Sequence, residues 1–140
     1  MIKIDENDRQ TITLHRGDAP VGEINRICFT YPIHNYTTGE TENYEFQTTD
    51  EITFTVYDKK GYTMNEIFRI KYKLSDIGYV APTTTPELYI TREDTLKFPL
   101  SNKKQTFWYD LRLNDNTTII GLDEDGGKKI IVLPGSTEEA

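Results

Sequence analysis

The feature that most constrains this chain is a regular alternation of apolar and polar residues over Gln105–Leu113. The apolar residues at every second position are Phe107, Tyr109, Leu111 and Leu113. The residues between them are Trp108, Asp110 and Arg112. A period of two residues is typical of a β-strand with one buried face, because successive side chains of a strand point to opposite sides. The first set is therefore predicted to face a core.

Two turn sequences follow this strand. At 114–116 the chain reads Asn-Asp-Asn, and Asn116 is predicted to take the left-handed conformation that closes a three-residue hairpin loop. The segment 117–122 returns as a second strand. Gly126 and Gly127 allow positive φ and predict a second reversal, after which Lys128–Leu133 returns as a third strand. The stretch 105–133 is thus predicted to be a three-stranded meander.

Further strands are predicted upstream over 10–15, 22–33, 51–57, 68–74 and 88–90. The strand at 22–33 has a break in phase near Arg26, which indicates a bulge. The strands at 51–57 and 68–74 are predicted to form a hairpin that turns at 58–61 and has one solvated, basic face. Thr91 and Asp94 match the start of a helix, and Pro99 restricts that helix to about one turn.

About eight to nine short strands with turns between them, and at most one short helical turn, indicate an all-β fold. The expected architecture is an antiparallel β-sandwich, immunoglobulin-like, or a partly open barrel. The 140 residues match the size of one domain, 1–140. Within it, 1–9 is expected to be a disordered arm or a short edge strand, 34–49 a polar excursion or flexible hairpin, and 134–140 a flexible tail.

Charge and composition disfavour several classes of partner and location. The formal net charge is -7, which opposes extended contact with a phosphate backbone, so no nucleic-acid partner is expected. No apolar run is long enough to span a membrane, and the acidic first ten residues do not resemble a secretion signal. The protein is therefore expected to be made in a cytoplasm. Cys28 is the only cysteine, which excludes an internal disulfide and predicts a small buried residue.

The sequence offers no convincing catalytic or metal site. His15 and His34 are the only imidazoles, and a Cys28–His15 pair is the weak candidate for nucleophilic catalysis. A calcium loop of the EF-hand type starting at Asp123 fails, because Pro134 stands where the bidentate glutamate is required. A looser ion site at Asp123 and Asp125 stays open. We therefore expect no enzyme activity, no catalytic residue, no cofactor and no metal.

Trp108, Asp110 and Arg112 form the candidate interface. An exposed tryptophan near arginine has the composition of an interface anchor. Two alternatives remain open for this tryptophan. Either the segment 34–49 or a neighbouring strand covers it, or it joins other aromatic residues in a sugar-binding face. The tyrosines considered for that face are Tyr31, Tyr36 and Tyr44.

Five short motifs carry a resemblance to a known family. They lie at 11–18 (TITLHRGD), 50–56 (DEITFTV), 88–95 (LYITREDT), 108–113 (WYDLRL) and 118–121 (TIIG). In this order they resemble small β-sandwich proteins encoded in tail gene modules of phages and prophages of Gram-positive bacteria, a family that includes the N-terminal domain of the phage baseplate upper protein. The resemblance implies a baseplate-like sandwich in a non-enzymatic structural protein. Its implied location is the virion, and its implied partners are copies of itself or other tail proteins.

Overall fold

The computed structural model describes residues 2–4, 11–18, 25–60, 62–120 and 128–134. Over these residues the fold is all-β, with one short helix. The strands are β1 (Ile2–Ile4), β2 (Ile12–His15), β3 (Arg26–Phe29), β4 (Pro32–His34), β5 (Thr41–Asn43), β6 (Glu51–Lys60), β7 (Thr63–Lys73), β8 (Glu87–Tyr89), β9 (Gln105–Leu113), β10 (Thr117–Ile120) and β11 (Lys128–Leu133). The helix α1 spans Arg92–Thr95. The all-β prediction is confirmed, with eleven described strands where about eight to nine were expected.

The largest of the three sheets has six strands. Five follow the order β2-β11-β9-β6-β7, and the sixth, β10, also pairs with β9. Apolar and polar side chains alternate along its strands, as predicted. The buried apolar residues on β2, β6 and β9 are Ile12, Leu14, Ile52, Phe54, Val56, Phe107, Tyr109, Leu111 and Leu113. Alternation places this whole set on one side of the sheet, where it forms most of the core.

The second sheet, with the order β1-β3-β8, completes the core. Ile27 and Phe29 on β3 and Leu88 on β8 are buried in the same cluster as the apolar face of the large sheet. The Tyr72 hydroxyl on β7 donates a hydrogen bond to the Tyr89 carbonyl on β8 at 3.2 Å, which joins the two sheets directly. The arrangement is sandwich-like, two sheets enclosing one apolar layer.

The predicted meander is wrong in its last step. Both β10 and β11 run antiparallel to β9, and β6 pairs with the opposite edge of β9. Therefore β10 and β11 follow one another along a single edge of β9 and run in the same direction. The Gly126-Gly127 reversal lies outside the described residues, but the flanking strands show no net change of direction.

The antiparallel expectation also needs a correction. β11 pairs with β2 in parallel, and β1 pairs with β3 in parallel. The first three described residues are therefore an edge strand, the second of the two alternatives for 1–9. Residues 5–10 and 135–140 lie outside the described part of the chain.

Two predicted turns are displaced. The β6–β7 hairpin does not turn at 58–61, because the ladder continues to Lys60 paired with Thr63. A register shift between Val56 and Tyr57 leaves Ile67 as an extra residue on β7, a β-bulge. In the β9–β10 turn, positive φ falls on Asn114 and Asp115 and not on Asn116. Two successive positive φ values match a type I′ turn, whose twist suits a hairpin.

The segment predicted as one strand over 22–33 is divided between β3 and β4. One described break lies at Thr30 and Tyr31, and Asn25, next to Arg26, takes a positive φ in a turn before β3 begins. Residues 22–24 lie outside the described part of the chain. Cys28 is half-buried and not fully buried. It alternates with the buried Ile27 and Phe29 on β3, so its side chain leaves the opposite side of that strand.

The polar excursion forms the predicted hairpin. β4 and β5 pair antiparallel around a turn held by Asn35, whose side-chain oxygen accepts hydrogen bonds from the amides of Thr37 and Thr38. The excursion is anchored at its end, because Phe46 is fully buried and exchanges two backbone hydrogen bonds with Thr83. Burial of Phe46 was not anticipated.

Candidate functional site

The predicted interface residues lie on the outer face of the large sheet. Trp108, Asp110 and Arg112 alternate on β9 with the core residues, as the sequence pattern predicted. The ladder between β6 and β9 places Tyr57 opposite Trp108, Thr55 opposite Asp110 and Thr53 opposite Arg112. We call these six residues the outer-face patch.

Trp108 is half-buried at one end of this patch. Its ladder neighbours are Tyr57 on β6 and Lys129 on β11. The indole Nε1 is buried and finds no hydrogen-bond acceptor among the described residues. A buried N–H without an acceptor is costly.

Asp110 is buried, with 8% of its surface exposed. Its Oδ2 accepts a hydrogen bond from the Tyr57 hydroxyl at 3.0 Å, whereas its Oδ1 is buried without a donor among the described residues. Burial raises the pKa of the Asp110 carboxyl, against the lowering effects of Tyr57 and Arg112. Burial, followed by the negative charge of Asp110, raises the pKa of Tyr57 to about 12.

The threonines of β6 show that this face is more enclosed than predicted. Thr53 and Thr55 point outward as the alternation requires, yet only 1% and 3% of their surfaces are exposed. The turn after β9 contributes to this cover, because the Thr53 hydroxyl donates to Asp115 at 2.8 Å. A solvated outer face was therefore the wrong expectation for β6.

The side chains of β7 at the border of the outer face are charged and exposed. Lys71 contacts Asp115 at 3.0 Å and Glu51 at 3.7 Å, and Arg69 donates from Nε to Glu66 at 3.1 Å. The hydrogen bonds from Thr53 and Lys71 lower the pKa of Asp115. Arg112 is exposed on β9. The patch thus has an aromatic pair at one end and the exposed Arg112 at the other, and the exposed Arg69 and Lys71 of β7 lie along its edge.

A second surface lies on the β4–β5 hairpin. Tyr36 is 92% exposed at its tip, and its ring lies 4.8 Å from that of His34. An open groove of about 330 Å³ runs along the hairpin. It is lined by Ile33, Asn35, Glu42, Asn43, Tyr44 and Glu45.

The residues considered for a sugar-binding face are divided between these two surfaces. Tyr31 and Tyr44 contact each other edge to face at 6.1 Å, and Tyr44 continues to the buried Phe46 at 4.9 Å. The Tyr44 hydroxyl donates to Asp50 at 2.9 Å. Burial, then the hydrogen bond with Asp50, raises the pKa of Tyr44. Trp108 lies on β9, which belongs to a different sheet.

The candidates for catalysis are placed as follows. His15 is exposed on β2 and pairs with Leu133 of β11, whereas Cys28 lies on β3 and pairs with Lys3 and Glu87. Within the described ranges, no group of three or more histidine, cysteine or acidic residues is arranged to hold a metal ion. The acidic sequence with Asp123 and Asp125 lies outside those ranges.

Sequence reasoning missed Tyr57 as a partner of Trp108 and the network around Asn114. Asn114 donates from its amide nitrogen to Asp50 and accepts at its amide oxygen from the Glu51 backbone, which fastens the β9–β10 turn to the start of β6. The alternation in 51–57 does place Tyr57 on an outward face. Only the pairing of β6 with β9 shows which residue stands beside it.

Comparison with protein-family models, with curated proteins and with solved structures finds no match to this chain. Over the described residues, none of the helical structure is long and apolar enough to cross a membrane.

Proposed function

We propose that this protein is a structural component of a phage or prophage tail or baseplate, and that it acts by protein–protein assembly. It would be made in the bacterial cytoplasm and become part of the virion. The family assignment is supported by the five motifs in their order along the chain. The all-β sandwich-like fold agrees with what that resemblance implies.

The assembly mechanism rests on the composition of the outer-face patch. Tyr57 and Trp108 are ladder neighbours at one end of it, and Arg112 is exposed at the other end. Arg69 on β7 is exposed opposite Thr55, at the edge of the patch. Tryptophan, tyrosine and arginine are the residues that most often contribute large shares of binding energy at interfaces. The half-buried indole keeps part of its area available for a partner.

Self-association tests this mechanism without knowledge of a partner. We expect sedimentation velocity over a concentration series to show reversible association, weakened by Trp108→Ala by about 2 kcal/mol or more. Arg112→Glu should weaken association as well, and it should leave the melting temperature nearly unchanged because Arg112 is exposed. Lys104→Glu makes the same charge change in the loop before β9 and serves as the control.

The family assignment needs a test with defined partners. The tail proteins encoded beside this gene should be co-expressed with it and the complexes measured by light scattering. Defined stoichiometry with one of them, lost in Arg112→Glu, supports the proposal. A strict monomer that forms no complex with any of them contradicts it.

A carbohydrate-binding module is the second candidate, favoured by the groove on the β4–β5 hairpin. Its lining combines amides, carboxylates and the Tyr44 ring, and Tyr36 is exposed nearby on the same hairpin. Amides and carboxylates bind sugar hydroxyls, and an aromatic ring packs on the apolar side of a sugar ring.

A glycan array distinguishes the two candidates. Under the carbohydrate hypothesis, Asn43→Ala should abolish hits that Arg112→Glu leaves intact. An array without hits leaves only the assembly proposal.

A further inference from the structure

Among the described strands, none pairs with the outer edge of β7. In the order of strands that the structure describes, β7 is terminal and pairs only with β6. It is eleven residues long, the longest strand described. On an antiparallel edge strand about half of the backbone N–H and C=O groups point away from the neighbouring strand, where they can bind another extended segment.

The core side of β7 is incompletely covered. Phe68 and Ile70 face the core but are only half-buried, whereas their ladder partners on β6, Val56 and Phe54, are 0% and 2% exposed. Among the described strands, β6 has a neighbour on each side and β7 has one. Tyr72 on the same side of β7 is buried, and the Phe68 ring contacts Phe98 at 5.0 Å, so the exposed apolar area lies on Ile70 and the rest of Phe68. A further strand beside β7 would cover Phe68 and Ile70 with its own apolar side chains.

The solvent side of the same segment is basic. Arg69, Lys71 and Lys73 are exposed at every second position. Arg69 and Lys71 have exposed acidic partners in Glu66 and Asp115, whereas no ion pair is described for Lys73 within the structure's coverage. If this segment paired with itself in a second copy, like charges would lie opposite one another, which is unfavourable.

From the half-buried apolar residues and the exposed basic residues of this strand, we propose that β7, over Phe68 to Lys73, binds an extended segment of a partner protein. Apolar and acidic residues alternate in that segment. The segment adds as a seventh strand of the large sheet, through main-chain hydrogen bonds. Its apolar residues cover Phe68 and Ile70, and its acidic residues face Arg69, Lys71 and Lys73. The bulge at Ile67 interrupts the regular ladder and limits the site on its N-terminal side. This edge adjoins the outer-face patch, because Arg69 and Lys71 pair with the patch residues Thr55 and Thr53 of β6.

A synthetic peptide of alternating valine and glutamate, capped at both ends, is the probe. We expect calorimetry to detect binding to the full chain, and hydrogen exchange to show new protection of backbone amides in β7. The same peptide with lysine in place of glutamate is the charge control. A third peptide, N-methylated at alternate residues, lacks donors for main-chain pairing, and we expect it not to bind.

Lys73→Glu should weaken binding of the glutamate peptide by about twofold to fivefold, because one exposed charge pair is reversed. Lys103→Glu reverses a charge in the loop before β9 and should leave the affinity unchanged. Circular dichroism verifies that both variants fold. Equal affinity for the lysine and glutamate peptides overturns the proposal. So does protection of β7 that grows with protein concentration alone, which would make a second copy the occupant.

Discussion

Asp110 and Asp115 lie close together in the sequence, yet the protein shifts their pKa values in opposite directions. Asp110 is buried on the outer face with one described donor, and burial raises its carboxyl pKa above the usual 3.8. Asp115 lies in the turn and accepts hydrogen bonds from Thr53 and Lys71, which lower its pKa. The two residues should therefore make opposite contributions to the pH dependence of stability.

Burial of the charged Asp110 carboxylate lowers the free energy of unfolding, and this loss grows with pH. Replacing Asp110 by Asn should remove the loss. Between 3.8 and the raised pKa, the folded state binds the Asp110 proton more tightly than the unfolded state. The free energy of unfolding therefore decreases as pH rises through this interval. We expect the stability of the wild type relative to Asp110→Asn to fall as pH rises from 3.8 through the raised pKa. Denaturant titrations across this range measure the difference, and a constant difference would contradict the assigned role of burial.

Asp115→Asn should show the opposite sign. The folded pKa of Asp115 lies below 3.8, so its contribution is fully present above 3.8 and is lost as pH falls through the lowered value. The same titrations should show the wild type more stable than Asp115→Asn at neutral pH, with the difference vanishing in acid. A difference that persists in acid would mean that the hydrogen bonds do not depend on the charge.

At the scale of elements, α1 illustrates what a local motif can achieve. The Thr91 hydroxyl accepts from the Asp94 amide at 3.1 Å, and the Asp94 carboxylate accepts from the Thr91 amide at 3.2 Å, the predicted capping box. The single turn also holds the end of β2. The Thr95 hydroxyl accepts from the Gly17 amide at 2.8 Å, and Arg16 donates to the Phe98 carbonyl at 3.0 Å. The cap was readable from the sequence, but its contact with β2, some eighty residues away, was not.

Thr91→Ala should destabilise the protein by about 1 kcal/mol, because the Asp94 amide at the helix start loses its acceptor. Chemical denaturation measures this loss. Thr91→Ser keeps the hydroxyl and is the control, expected to stay within about 0.5 kcal/mol of the wild type. If Thr91→Ser is as unstable as Thr91→Ala, the loss belongs to the methyl group of threonine and not to the cap.

For the molecule as a whole, the alternation on β9 decides which side chains hold the two sheets together. Leu111 is fully buried in the common core, whereas its neighbour Arg112 is exposed. Leu111→Ala should cost about 2–5 kcal/mol by leaving a cavity, and Leu111→Asp should abolish cooperative unfolding by placing a charge in the core. Calorimetry measures both variants, with Arg112→Ala as the control. Comparable losses for Leu111→Ala and Arg112→Ala would reverse the assignment of faces.

The sequence by itself determined the all-β class, the apolar side of the large sheet, the hairpin at 34–49 and the cap of α1, because each depends on residues close together in the chain. The tertiary structure alone decided that β11 continues along the edge of β9 occupied by β10, that two pairings are parallel, and that Tyr57 stands beside Trp108. Period-two alternation specifies which face of a strand is buried. It does not specify which strand lies beside it, because the pattern is the same whichever neighbour it pairs with. Which strands become neighbours depends on how all the apolar faces are buried together, and that depends on the whole chain.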